Sequence, residues 1–277
     1  MRFLIKFYNL LTLTMKEPGN FGWYHIVCIL AVAGLTYAVC KLFKDCSDKT
    51  LRYISGIVWG VILALEIYKQ LTYGFEVDED RLIWDYSWYI FPFQFCSSPL
   101  YILPIIAFAK SERLRECCIA YMMTYSLFAG LAVFCYPNDV FVETIGINIQ
   151  TMVHHGSQIL MGAFYATRYR DRLNRKLFID GTKVFVVMVL VAMVLNVSFY
   201  RILTFFGINE TFNMFYISPH FKCTLPLLST VWEYIPYVLF VFVYFFGFIL
   251  CALIVYAVIK GVTVAVRRCI GTRSAEA

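Results

Sequence analysis

Residues 231–260 read VWEYIPYVLFVFVYFFGFILCALIVYAVIK, with no charged side chain between Glu233 and Lys260. Crossing the hydrocarbon of a bilayer takes about 20 mostly apolar residues in helical form, so this stretch predicts a membrane span. Working outward, comparable windows occur at 22–40, 52–73, 87–109, 117–136, 147–166 and 178–201. The expected fold is therefore all-α, a polytopic membrane bundle of seven transmembrane helices. Composition agrees: 61% of residues are hydrophobic and 15% charged, against roughly half and a quarter in soluble domains. Twenty-six Phe and 20 Tyr beside ten Cys, most of them inside apolar runs, exclude intrinsic disorder, a coiled coil and a small disulfide-stapled module.

Ahead of the first span, Leu4, Phe7 and Leu11 recur at helical spacing opposite Lys6 and Asn9, which suits a short helix lying in the interface. The organisation expected is an interfacial segment at 1–20, a seven-helix membrane domain at 21–262 and a basic cytoplasmic tail at 263–277. Basic residues concentrate in alternate connections: 41–52, 110–116, 167–177 and the C-terminal end. The intervening connections are poor in Lys and Arg, the first carrying Glu76, Asp78, Glu79, Asp80 and Asp85 around Arg81. Basic loops are retained on the cytoplasmic side, so the expected orientation is N-out, C-in. The same pattern explains the net charge of +6 without nucleic acid as a partner.

Strongly polar side chains inside spans cost free energy and mark functional candidates. They are Glu66 in the second span, Gln94 and Cys96 in the third, His154, His155 and Gln158 in the fifth, and Asn196 in the sixth. With the spans so oriented, most fall at one depth, about 12 Å below the outer rim at 1.5 Å per helical residue. A polar pocket open to the outer side is the expectation. Cys96 lies between Pro92 and Pro99, whose missing N–H groups break the helix and leave backbone dipoles nearby. Consecutive histidines point about 100° apart. His155 shares a face with Thr151, Gln158 and Gly162 and is the preferred base; His154, aligned with Gln150 and Ser157, is the alternative. No metal-ligand spacing, nucleotide loop or Gly-x-Ser-x-Gly elbow occurs, and neither metal nor cofactor is expected.

Three segments carry a resemblance. Phe91-Pro92-Phe93-Gln94-Phe95-Cys96 resembles the Leu-Pro-Leu-x-x-Cys segment of the YwaF-type integral membrane proteins, a family that also contains the animal transmembrane protein one-sixty-four. Tyr136-Pro137-x-Asp139-Val140-Phe141, followed by Gln150-Thr151-Met152-Val153-His154-His155-Gly156, is similar to the family's His-containing fifth span. Asn196, with Asn213-Met214-Phe215-Tyr216-Ile217-x-Pro219, resembles its Asn-Tyr-Met-x-Leu-x-x-Pro stretch. The likeness extends over most of 50–250 and implies seven helices and, by extension from the animal member, Cys-dependent acyl transfer between phospholipids.

Residues and resemblance together lead to an expected membrane-embedded lipid acyltransferase or thioesterase, with membrane phospholipids as acyl donor and acceptor. Cys96 would be the nucleophile and His155 its base, with Glu66 and Gln158 orienting. Asn196, Asn213 and Gln94 would serve as oxyanion or substrate-binding donors. The expected setting is the bacterial cell membrane, or an endoplasmic-reticulum-type membrane in a eukaryote. The rival reading is a receptor or carrier that binds a small or lipid ligand in the same pocket. A plainer one is a structural protein whose polar groups only lock helices together.

Overall fold

The computed structural model describes residues 2–137 and 140–275, with side chains described as far as residue 268. Asp139 of the second family-like segment lies outside the described residues. The helices are α1 (Arg2–Leu11), α2 (Trp23–Phe43), α3 (Asp48–Thr72), α4 (Pro99–Phe108), α5 (Glu112–Tyr121), α6 (Leu127–Cys135), α7 (Ile145–Arg168), α8 (Arg175–Phe205), α9 (Leu228–Tyr234) and α10 (Tyr237–Ala275). Five helical stretches are long and apolar enough to cross a membrane: α2, α3, α5 through α6, α8 and α10 as far as Arg268. On α8 and α10, Val187, Leu190, Val194, Phe242, Phe246 and Leu250 are exposed apolar groups, as a hydrocarbon solvent permits.

The third expected span, 87–109, is not one helix. It runs as single 3-10 turns at Trp88–Ile90 and Phe95–Ser97 before α4 begins at Pro99. Pro92 and Pro99 cannot donate to a helical ladder, and Pro99 starts α4, where the missing N–H costs nothing. The last expected span, 231–260, is likewise interrupted. Ile235, held extended by the following proline, separates α9 from α10. Helix α10 then continues to Ala275. One departure from pure helix is a hairpin in the acidic connection, β1 (Phe75–Asp78) against β2 (Arg81–Trp84), with Phe75 opposite Trp84.

The centre of the bundle is α5–α6 with α7, joined by close backbone approach. A π turn at Met122–Ser126 interrupts the α5–α6 stretch. A Cβ on Gly162 of α7 would lie 2.8 Å from the Met122 carbonyl, and one on Gly130 of α6 would lie 2.7 Å from the His155 carbonyl. Only glycine fits at such separations, so the pair sets how deeply α6 seats against α7. Helix α2 packs on the outer side of α7, α3 on α4, and α8 on α5.

The basic connections meet at one end of the bundle. Arg115 pairs with Asp48 at 3.3 Å, Arg170 with Asp45 at 2.7 Å and Arg172 with Glu116 at 2.9 Å, while Arg267 of α10 pairs with Asp171. Exposed pairs of this kind contribute roughly 0–1 kcal/mol each, so they set the register of the loops more than they hold the bundle together. The opposite end is tied by α1 and the hairpin. Tyr8 donates to the carbonyls of Thr72 and Phe75, Tyr68 donates to that of Leu11, and the Met15 N–H donates to the Glu143 carbonyl at 2.7 Å.

Candidate functional site

The break between Pro92 and Pro99 leaves the Cys96 carbonyl without a helical partner, and α7 supplies two. His154 Nε2 lies 2.9 Å and Gln158 Nε2 2.7 Å from that oxygen. These residues are one helical turn apart, so both reach the same point from one face of α7. A carbonyl only accepts, so the His154 proton is on Nε2 and its lone pair on Nδ1. That Nδ1 is buried and has no partner among the described residues, and the same holds for Gln158 Oε1. Buried polar atoms left unpaired are uncommon, and two here belong to the side chains that grip Cys96.

His155 takes the other tautomer. Its Nδ1 lies 2.8 Å from the Thr151 carbonyl, so Nδ1 donates and Nε2 carries the lone pair, with no hydrogen-bond partner among the described residues. Its ring sits edge-to-face on that of His154, with centroids 5.7 Å apart. Thr151 thus supplies the orienting acceptor expected from Glu66. Glu66 is engaged elsewhere: Lys69 Nζ lies 2.8 Å from Oε1, Gln70 donates to Oε1 at 2.6 Å, and Gln150 donates to Oε2 at 3.5 Å. Gln70 also donates to the Ile90 carbonyl and accepts from Tyr86, so this network fixes the entry of the broken segment.

The three amides expected as oxyanion or substrate donors are committed to a loop instead. Asn196 Nδ2 donates to the Met214 carbonyl at 2.9 Å, and its Oδ1 accepts from the Met214 N–H at 2.7 Å. Gln94 bridges the Asn213 carbonyl and the Phe215 N–H, each at 2.9 Å. Asn213 accepts from the Ser218 N–H and donates to the Lys222 carbonyl. Between these bonds Phe215 and Tyr216 hold φ of 58° and 55°. The left-handed region costs a residue with a Cβ about 1–2 kcal/mol. The amides offset that strain, and the fully buried Phe215 ring packs against Phe93 and Phe95.

The structure therefore brings Cys96, His154 and Gln158 into direct contact, with His155 beside them. It places Glu66 on Lys69 and Gln70, and Gln94, Asn196 and Asn213 on loop 213–218. The Thr151 carbonyl is the part that side-chain reading misses; its signal is that a histidine Nδ1 inside a helix reaches the carbonyl four residues back. Once the amides are spent, the donors left next to the sulfur are the Ser97 side chain and the Cys96 N–H, both of which reach it.

No curated protein and no solved structure matches the chain. The family model described as the TMEM164 family matches residues 20–258, a stretch that holds the broken segment, both histidines, the amide-held loop and most of α10. The chain is a multi-pass helical membrane protein that belongs to the TMEM164 family.

Proposed function

We propose that the protein is a lipid acyltransferase or thioesterase in which Cys96 is the nucleophile and His155 the general base. The observation that carries this reading is the double grip of His154 and Gln158 on the Cys96 carbonyl, which fixes residue 96 next to the histidine pair. In the reaction the Cys96 thiol proton passes to His155 Nε2 as the sulfur bonds to the carbonyl carbon of a lipid ester. The tetrahedral oxygen takes its hydrogen bond from the Cys96 N–H. Collapse breaks the ester C–O bond, and the departing alkoxide takes the proton back from the imidazolium. The thioester then loses its acyl group to the hydroxyl of a second lipid, or to water, with His155 again removing the attacking proton. His154 is a positioning residue in this scheme, since its donor is bonded to the Cys96 carbonyl.

We further propose seven crossings with the N-terminus outside. Support comes from the basic connections at one end of the bundle, and from α7 and the broken segment 88–108 each running between the two ends. Phospholipids of the surrounding leaflet are the proposed acyl donor and acceptor. The test is a lipid profile of cells with the wild-type chain against Cys96→Ala, together with mass spectrometry of the peptide containing residue 96. An acyl adduct on Cys96 and a changed acyl distribution are expected. An unmodified peptide, with ligand binding kept in Cys96→Ala, would instead indicate a carrier or receptor.

A further inference from the structure

At the basic end, away from Cys96, the N-terminal half of α3 and the end of α4 line an open cavity of about 530 Å³. We propose that it binds one phospholipid with an anionic headgroup, whatever chemistry Cys96 performs. Two cations line it. Arg52 Nε donates to the Ala107 carbonyl at 2.8 Å, which holds the guanidinium in place while its two terminal nitrogens make no hydrogen bond among the described residues. Lys49 leans over the Tyr53 ring, 5.8 Å from its centroid, and takes part in no ion pair among the described residues. The acid of the cavity, Asp48, is already paired with Arg115.

The other half of the cavity is apolar. Ile57 is 66% and Phe108 61% exposed, and both belong to helical elements whose lipid-facing sides meet hydrocarbon. Gly56 forms the floor between them: a Cβ there would meet Ala107 and Phe108 at ordinary contact distance, 3.7 Å. The cavity is thus cationic where α3 begins and greasy one to two turns further along, the profile of an amphiphile with an anionic head and an acyl chain. A free anion would use only the first half. The planar guanidinium can grip a phosphate with two parallel hydrogen bonds, and Lys49 adds a point charge. Helix α4 separates the cavity from Cys96, and its ten residues span about 15 Å.

The test uses the full chain in detergent, titrated with phosphatidylglycerol or with phosphatidylcholine of the same acyl chains and read by native mass spectrometry. One phosphatidylglycerol per chain should be retained where phosphatidylcholine is not. Lys49→Gln should weaken retention on the order of tenfold, as expected for one charge-assisted contact. Gly56→Leu should do the same by filling the floor, while its thermal midpoint stays level or rises, because leucine favours helix over glycine. Lys260→Gln, an exposed cation elsewhere at this end, should leave retention unchanged. Equal retention of the two lipids, equal loss with Lys260→Gln, or full retention in Lys49→Gln or Gly56→Leu would overturn the proposal. So would saturable binding of inorganic phosphate without lipid, or a lipid-free dimer that Gly56→Leu dissociates.

Discussion

Asn196→Ala separates a donor that acts on substrate from one that holds the fold. The wild-type side chain makes two hydrogen bonds to the backbone of Met214, a fully buried residue, so truncation leaves its N–H unpaired in an apolar interior and its carbonyl with only the 3.4 Å bond from the Ile217 N–H. Each unpaired group costs about 1–3 kcal/mol. Part of that is returned if loop 213–218 relaxes and Phe215 and Tyr216 leave their left-handed conformations, at about 1–2 kcal/mol each. The expected net loss is about 1–3 kcal/mol. Because Gln94 holds the same loop, Gln94→Ala should couple to it, and the double variant should lose less than the two singles added together. The assay is thermal or denaturant unfolding in detergent, run beside acyl-electrophile labelling of Cys96. Cys96→Ala, which removes a sulfur whose hydrogen bonds are only to the adjacent Ser97 side chain and its own backbone N–H, should unfold within about 1 kcal/mol of wild type. An Asn196→Ala protein that unfolds like wild type yet no longer labels would show that Asn196 serves the reaction and not the loop.

Gly130→Ala should press a methyl into the His155 carbonyl and Gln158, costing about 1–3 kcal/mol and reducing Cys96 labelling, read by the same two assays. Lys69 is partly sheltered beside the buried Glu66, so Glu66→Gln should destabilise by about 3 kcal/mol; Glu66→Gln with Lys69→Gln should recover most of it in an unfolding cycle. At the basic end, the hydrogen bond and charge of Arg170, with Lys44 and Arg168 nearby, hold the Asp45 carboxyl below the usual carboxylate range. A carboxyl depressed on folding stabilises above its unfolded pKa and stops doing so as pH falls through the folded value. Wild type should therefore lose a small increment of stability on strong acidification that Asp45→Asn lacks, measured as unfolding midpoints across an acid series.

Much of the helical frame was legible because membrane spans announce themselves by length and apolarity. The windows at 22–40, 52–73, 117–136, 147–166 and 178–201 all correspond to helices, most of which extend a few residues further. Where the reading failed, proline chemistry explains it. Hydropathy averages over Pro92, Pro99 and Pro236 and sees continuous spans, whereas the backbone there has lost the donors a helix needs. The hairpin at 75–84 was hidden in an acidic connection whose alternation is only four residues long on each side. Within the site, the intramembrane cost of polar groups singles out residues but does not say which backbone groups they bond. Gln94, Asn196 and Asn213 were read as donors facing substrate, yet each spends both ends of its amide on the backbone of 213–222, a bond pattern that no spacing encodes. The placement of His154 against Cys96 was equally unreadable, because it depends on a carbonyl that only a broken helix exposes.

The central claim is that His155 activates the Cys96 sulfur, and comparative labelling rates test it most directly. An acyl-mimicking electrophile is applied to the full chain, and modification of Cys96 is followed by peptide mass spectrometry against Cys251, a half-buried cysteine on α10. Cys96 should react much faster than Cys251 in the wild type and fall to the reference rate in His155→Gln, with folding unchanged. Equal rates at the two cysteines in the wild type, or a Cys96 rate indifferent to His155→Gln, would contradict the account.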